Sequence, residues 1–284
     1  MTIPHSTGAV IIPAHNEGAV IGRTLTRLRP LLDDPDVDVL VVCNGCVDDT
    51  AEVARRFPGA VVLEIDASSK PAAMNAGDRA TERWPRLYLD ADIEVEPSAV
   101  YAVFRQLAEP EQIVAARPEA AFDTADASWP VRAYYRARTR LPEEGVRLWG
   151  AGGYAVSRKG HERFAAFPEV TADDSYFDAL FSDDEKTVVP TPPMRIRTPQ
   201  TSSALLAILT RHRRGHVELS SVPAGSGQRL RAVAGTVRGP RSALDAACYA
   251  AFAVVAHLRS RSVVGSGTSR WEKDASTRTA AGVH

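Results

Sequence analysis

Four short apolar runs, each leaving through a polar loop into a helical stretch, occupy the first ninety residues. They are "GAVIIP" (Gly8 to Pro13), "VDVLVVC" (Val37 to Cys43), "AVVLEI" (Ala60 to Ile65) and "RLYL" (Arg86 to Leu89). Continuous apolar runs this short, bounded by turn residues, read as buried strands. The stretch after the first run places Val20, Leu25, Leu28 and Leu32 at helical spacing. Asp49 with Glu52 reads as a capping pair opening "TAEVARRF", and "KPAAMNAGDRATERW" supplies another helix. Strands that alternate with helices in this way dictate an α/β chain: a mostly parallel, Rossmann-like sheet with helices on both faces.

In such sheets ligands bind beyond the carboxyl ends of the strands. The unusual residues fall there: "PAHNE" after the first run, "CNGC" after the second and "DAD" after the fourth. Buried, unpaired carboxylates are heavily penalised, so Asp90 and Asp92 at the end of a core strand need a reason. One is a solvated turn. The other is a hard cation such as Mg2+ or Mn2+, which prefers oxygen ligands and keeps room for water and phosphate.

At 284 residues, 44% hydrophobic and 24% charged, the chain fits one large domain or two small ones. Three cysteines are too few for a disulfide framework, and no Lys or Arg precedes the first apolar run, so the expectation is a cytoplasmic protein without a signal peptide. "CNGC" is also a C-x-x-C, but no second pair completes a zinc site and no thioredoxin-like context surrounds it. The formal net charge of -1 hides a division. Arg195 to Arg261 holds eleven Arg against Glu218 and Asp245, a local +9, so the remainder carries -10. Such a basic segment suits phosphate, anionic lipid or a solvated face; with few interleaved aromatics it does not read as a nucleic-acid module.

The second half is less regular. "IVAARPEA" reads as a fifth strand, "SWPVRAYYRARTRL" as a basic, aromatic helix, and "KTVVPTPPMRIRT" as a strand and loop. "LWGAGGYAVSRKG" places a glycine-rich turn before a strand, and "ADDSYFDALF" opens an acidic helix. "PAGSGQ" (Pro223 to Gln228) reads as a linker dividing residues 1–222 from a basic helical extension, 223–284. The apolar part of the last helix, Ala246 to Leu258, falls short of the ~20 residues that span a bilayer. Leu244, Cys248, Phe252 and Val255 form a face for packing on the enzyme body or a partner. The surrounding arginines offer the alternative of an anionic membrane surface, peripheral and at its inner face.

Taken in order, "VIIPAHNE", "VVCNGCVDDT", "SKPAAMNAG", "LYLDAD", "GAGGYAVSRKG" and "DDSYF" resemble the motifs of family-2 glycosyltransferases of GT-A fold. The resemblance covers roughly residues 8–215. It implies inverting hexosyl transfer from a nucleoside-diphosphate sugar to a hydroxyl acceptor (a glycan, a lipid or a small-molecule natural product), as in cell-envelope or polysaccharide biosynthesis. It further implies that Pro13, Ala14, His15 and Glu17 hold the nucleoside, and that Lys70 lies near the donor phosphates. Asp92 then binds Mg2+ or Mn2+, and Asp90 contacts the sugar or ribose. Asn44 stands at or next to a base-contacting Asp of the family; an amide both donates and accepts, leaving the base open. Asp173-Asp174 is similar to the family's acidic pair, with Asp174 as general base. Trp149, Gly152 and Gly153 resemble an acceptor-site turn. Arg211, His212, Arg213 and Arg214 match loosely a basic segment that closes over the diphosphate. The rivals are a sugar-1-phosphate nucleotidyltransferase, against which stands the lack of a glycine-rich triphosphate loop after the first strand, and a non-catalytic sugar- or lipid-binding partner of the same fold.

Overall fold

A computed structural model of the chain describes residues 6–108, 112–142, 145–170, 172–218 and 226–262. Seven strands are described: β1 Gly8–Ala14, β2 Val37–Asn44, β3 Ala60–Ile65, β4 Arg86–Leu89, β5 Ala115–Asp123, β6 Gly153–Val156 and β7 Lys186–Arg197. The described helices are α1 Gly18–Arg27, α2 Arg29–Leu32, α3 Thr50–Arg55, α4 Lys70–Arg79, α5 Pro97–Ala108, α6 Trp129–Thr139, α7 Arg158–His161, α8 Asp173–Ala179, α9 Ser202–Glu218, α10 Ser226–Gly235 and α11 Pro240–Ser262. The strands form one sheet in the order β3-β2-β1-β4-β6-β5-β7. The first four expected strands are present and parallel, while β6 runs antiparallel to both β4 and β5.

Side-chain alternation along these strands builds two cores. Val10, Ile12, Val39, Val41, Leu87 and Leu89 pack with Ile21, Leu25 and Phe104. The intervening Ile11, Leu40, Val42 and Tyr88 pack instead with Ala73, Met74 and Phe177. Both faces of the sheet are therefore covered, which is why its strands read as continuous apolar runs rather than alternating ones. Close approach of α4 to β1 depends on Gly77, where a Cβ would lie 2.5 Å from a methyl of Ile11.

The contacts divide the chain into two compact units: residues 1–121 with 145–196, holding most of the sheet, and residues 122–144 with 197–284, whose described elements are mainly helices. The helical unit thus takes α6 from mid-chain as well as the C-terminal helices. Of the expected linker, Pro223 to Gly225 lie outside the described residues, and Ser226 to Gln228 begin α10. The helical stretch expected through Val20, Leu25, Leu28 and Leu32 breaks at Leu28, because Pro30 in the first turn of α2 cannot donate to an uninterrupted helical ladder. The expected Asp49 cap also differs: Asp49 occupies the N-cap position without a side-chain bond, while Asp48 accepts from the Thr50 N–H at 3.1 Å and the Gly18 N–H at 3.1 Å.

In the helical unit, α11 packs on α6 and α9 through a face that keeps Phe252 from the expected one but leaves out Leu244 and Val255. Asp245, Tyr249, Phe252 and Ala256 are buried, whereas Leu244 and Val255 are exposed with Val254 and Leu258. The reason is Asp245, whose carboxylate takes Arg136 at 2.7 Å and Arg140 at 2.8 Å. Burial alone would raise the Asp245 pKa, but hydrogen bonds from the two arginines outweigh it and hold the group below the usual carboxylate range. Tyr249 then stacks on Tyr134, ring centroids 5.0 Å apart. Among the described residues no helix is long and apolar enough to cross a membrane.

Candidate active site

The polar loops that leave β1 and β2 are stitched to each other. Pro13 and Ala14 end β1 in the core, and the Cys46 thiol donates to the Ala14 carbonyl at 3.3 Å. Asn16 sits in the left-handed region at φ 50, donates its N–H to Cys46 Sγ at 3.3 Å and accepts the Val47 N–H on its side-chain oxygen at 2.8 Å. His15 Nδ1 pairs with the carbonyl of Asn44, which is buried at the end of β2. The Glu17 N–H donates to Thr50 Oγ1 at 2.7 Å, and its side chain is almost fully buried. Burial first, then the neighbouring Cys46, push the Cys43 thiol up to about 12. Cys43 is buried in the core and Cys46 bonds to both Asn16 and Ala14, so "CNGC" packs and ties this loop.

After β4 the chain turns sharply. The Asp90 N–H donates to the Gly152 carbonyl at 2.8 Å, Thr24 Oγ1 donates to the Ala91 carbonyl at 2.7 Å, and the Ile93 N–H returns to the Asp90 carbonyl at 3.2 Å. Asp90 and Asp92, both half-buried, are fixed one residue apart by this backbone. Ser69 caps α4 by accepting from the Ala72 N–H, which places Lys70 at the first helical position. From there the Lys70 ammonium reaches Asp90 Oδ1 at 2.7 Å and Asp173 Oδ2 at 3.0 Å. Tyr154, on β6, donates its hydroxyl to the same Asp173 oxygen at 2.8 Å.

Charge in this cluster is unbalanced. Burial disfavours the ammonium of Lys70, but Asp173 and Asp90, with Asp174 behind them, outweigh it and raise its pKa. Burial raises the Asp90 pKa; Lys70 pulls it back, and the negative Asp173 and Asp174 add to the rise. The Asp90 side chain keeps an edge in water, which tempers that shift. Tyr154 is held neutral, first by burial and then by the Asp173 carboxylate.

Asp174 begins α8 beside Asp173. Its Oδ2 accepts the Gly150 N–H and its Oδ1 the Ser175 N–H, both at 2.7 Å. Gly150 and Gly152 lie at φ 72 and φ 74, the left-handed conformation that favours glycine. A Cβ on Gly152 would also stand 2.5 Å from Ile93. Gly153 opens β6 opposite Leu89. The glycine turn therefore touches both acidic elements: Gly152 holds the turn of Asp90, and Gly150 holds the carboxylate of Asp174.

Of the residues singled out in the sequence, Lys70, Asp90 and Asp173 are in direct contact, and Asp174 and Gly152 adjoin them. His15, Glu17 and Asn44 gather on the neighbouring loops. Half-buried Trp149 lies in the glycine turn. His212 is exposed on α9 of the helical unit, and the side chain of Arg214 lies outside the described residues. Sequence reasoning passed over Tyr154, the Gly150 amide and Thr24. Only Tyr154 leaves a signal, a tyrosine directly after the glycine turn. Asp90 and Asp92 offer carboxylate oxygens, the ligand type a hard divalent cation takes, with the Lys70 ammonium on one oxygen of Asp90. Among the described residues no three His, Cys, Asp or Glu side chains converge on one point. The residues therefore suit an ion taking one or two protein carboxylates and completing its shell with water and phosphate.

Residues 9–164, more than half of the chain, match the profile of glycosyl transferase family 2, and the chain belongs to that family; it is a glycosyltransferase. Three solved structures illustrate the fold. A mannosyltransferase from Pyrobaculum calidifontis, solved with GDP-Man and Mn2+, is 19% identical with a TM-score of 0.60, covering 89% of this chain and 86% of that one. Glucosyl-3-phosphoglycerate synthase from Mycobacterium tuberculosis, solved with phosphoglyceric acid, is 22% identical with a TM-score of 0.52, covering 78% and 82%. TarS residues 1–349 from S. aureus, solved with UDP-GlcNAc, are 14% identical with a TM-score of 0.51, covering 81% and 71%. A search of curated proteins found no match. The family match sets aside the nucleotidyltransferase and binding-partner readings.

Proposed function

We propose that the protein transfers a sugar from a nucleoside-diphosphate sugar to a hydroxyl acceptor with inversion at the anomeric carbon, Asp174 acting as general base. The observation that carries this reading is the division of labour within the acidic pair. Asp173 is buried and committed to Lys70 and Tyr154 through one oxygen. Asp174 is half-buried and held by the Gly150 and Ser175 amides, with the Ser175 hydroxyl also reaching its Oδ1 at 3.4 Å. Two amides fix the orientation of a carboxylate while leaving it lone pairs with which to take a proton. A base fixed in this way removes the acceptor proton as the hydroxyl oxygen attacks. A single displacement from the face opposite the leaving diphosphate inverts the sugar.

Glu17 and Asn44, with the backbone of Pro13, Ala14 and His15, form the nucleoside end of the donor site. Asp92 would hold Mg2+ or Mn2+ with Asp90 beside it, and the ion would offset the charge that develops on the leaving diphosphate. The Mn2+ in the Pyrobaculum structure supports that assignment. Lys70 supplies the fixed positive charge among the acids. The test is hydrolysis of UDP-, GDP- and dTDP-sugars by the purified full chain, with Mn2+ and with EDTA. Metal-dependent release of the nucleoside diphosphate from one base series is expected, abolished by Asp92→Asn. Turnover unchanged by both EDTA and Asp92→Asn would refute the metal role, and no turnover of any donor would refute the function.

A further inference from the structure

We propose that the acceptor carries an anionic group, a carboxylate or a phosphate, bound by Arg147 beside Trp149. This rests on the functional reading above, since it assigns the substrate class of the same site. Three ties fix the backbone that presents these two side chains. Arg117, itself buried, donates Nε to the Arg147 carbonyl at 2.6 Å; the Leu148 N–H donates to Asp178 at 2.8 Å; the Gly150 N–H donates to Asp174 at 2.7 Å. Positions 147, 148 and 150 are thus anchored, the last of them to the base itself. Leu148 points into the core, while Arg147 and Trp149 are half-buried.

The Arg147 guanidinium stands 5.6 Å from the centre of the Trp149 ring, and among the described residues it has no carboxylate partner. That is informative here because the surroundings are acidic, with Asp173, Asp174 and Asp178 on the adjacent helix. An arginine kept on an aromatic face rather than on an acid retains its planar donor fork for an incoming group. Carboxylate and phosphate match that fork with two parallel hydrogen bonds, and each strengthens when charge assists. An anionic acceptor approaching a carboxylate base also needs a cation beside it to offset repulsion. Arg147, three residues from the amide that orients Asp174, meets that need.

Binding is testable without turnover. Tryptophan fluorescence of the full chain is titrated with sodium phosphate and with sodium acetate, and sodium chloride at equal ionic strength serves as the control. A saturable change with phosphate or acetate, absent with chloride, is expected in the wild type, and which ion produces it distinguishes the two anions. Arg147→Gln should weaken the binding at least tenfold, Arg147→Lys should restore part of it, and Trp149→Phe should remove the optical signal. A chloride-like response in the wild type, or an affinity unmoved by Arg147→Gln and Arg147→Lys, would overturn the proposal. Donor hydrolysis is measured alongside. Turnover without Arg147-dependent anion binding sinks the anionic acceptor and leaves the transferase, whereas anion binding without turnover counts against the transferase mechanism.

Discussion

Buried acid is answered differently in the two units. In the helical unit a single carboxylate, Asp245, meets two arginines, and nothing in the pairing is left to react. In the sheet unit Asp90 and Asp173 share one ammonium, Lys70, with the further negative charge of Asp174 beside them. The first arrangement is what a fold requires when a charge is placed in a core. The second leaves negative charge over, at the carboxyl ends of parallel strands, where a substrate and a cation can compensate it. The sequence charges follow the same line: the acidic excess lies outside Arg195 to Arg261, and the basic excess within it. Excess acid marks the working site, and matched acid marks structure.

The comparison is tested hardest at Asp174. Asp174→Asn keeps the shape and one acceptor oxygen but cannot take a proton, so transfer should fall by about 10²–10⁴. The melting temperature should move little. Asp173→Asn should instead lower stability as well as rate, because it loosens Lys70 and Tyr154 together. Steady-state rates and thermal melts on both variants check the assignment; a near-normal rate for Asp174→Asn would transfer the role of base elsewhere.

Asp245→Asn gives the intermediate effect, on stability rather than chemistry. It leaves two arginines facing a neutral amide in the core of the helical unit. Breaking a buried pair costs about 3–5 kcal/mol, and about 2–3 kcal/mol is expected here because Arg136 and Arg140 keep 31% and 35% of their side-chain surface in water. The pH sign follows from the lowered pKa of Asp245. Its contribution is present above the unfolded value of about 3.9 and is lost as pH falls through the depressed folded value. Urea unfolding should therefore show wild type and Asp245→Asn well separated at pH 7 and converging below pH ~4. A constant gap across that range would show that the carboxylate charge is not what stabilises the unit.

Much of the sheet unit was legible because its signals are local. Each of the first four strands is a continuous apolar run, and each exit loop announces itself by polarity, so "PAHNE", "CNGC" and "DAD" fell where parallel strands end. The contacts that organise the site are not local. Lys70 and Asp173 are far apart in the chain, and the Gly150 amide reaches Asp174 across 24 residues without a side chain to reveal it. The face of α11 was misread for a similar reason. Arg136 meets Asp245 across 109 residues, and hydropathy alone gave an acid no place on a buried face.

The smallest effect expected is at Gly150, and it asks whether the glycine turn serves the site or only the fold. Its φ of 72 costs an L residue about 1 kcal/mol. Gly150→Ala should lower stability by about that amount. If the Gly150 N–H only satisfies a loop, the loss ends there. If it orients the base, a shift of part of an ångström at Asp174 should reduce kcat about tenfold, since misplacement by about 1 Å costs about 10². KM for the donor should hold, because the proposed nucleoside end lies on the loops after β1 and β2. Equal loss in kcat and donor KM would mean that the turn supports the whole sheet end rather than Asp174 in particular.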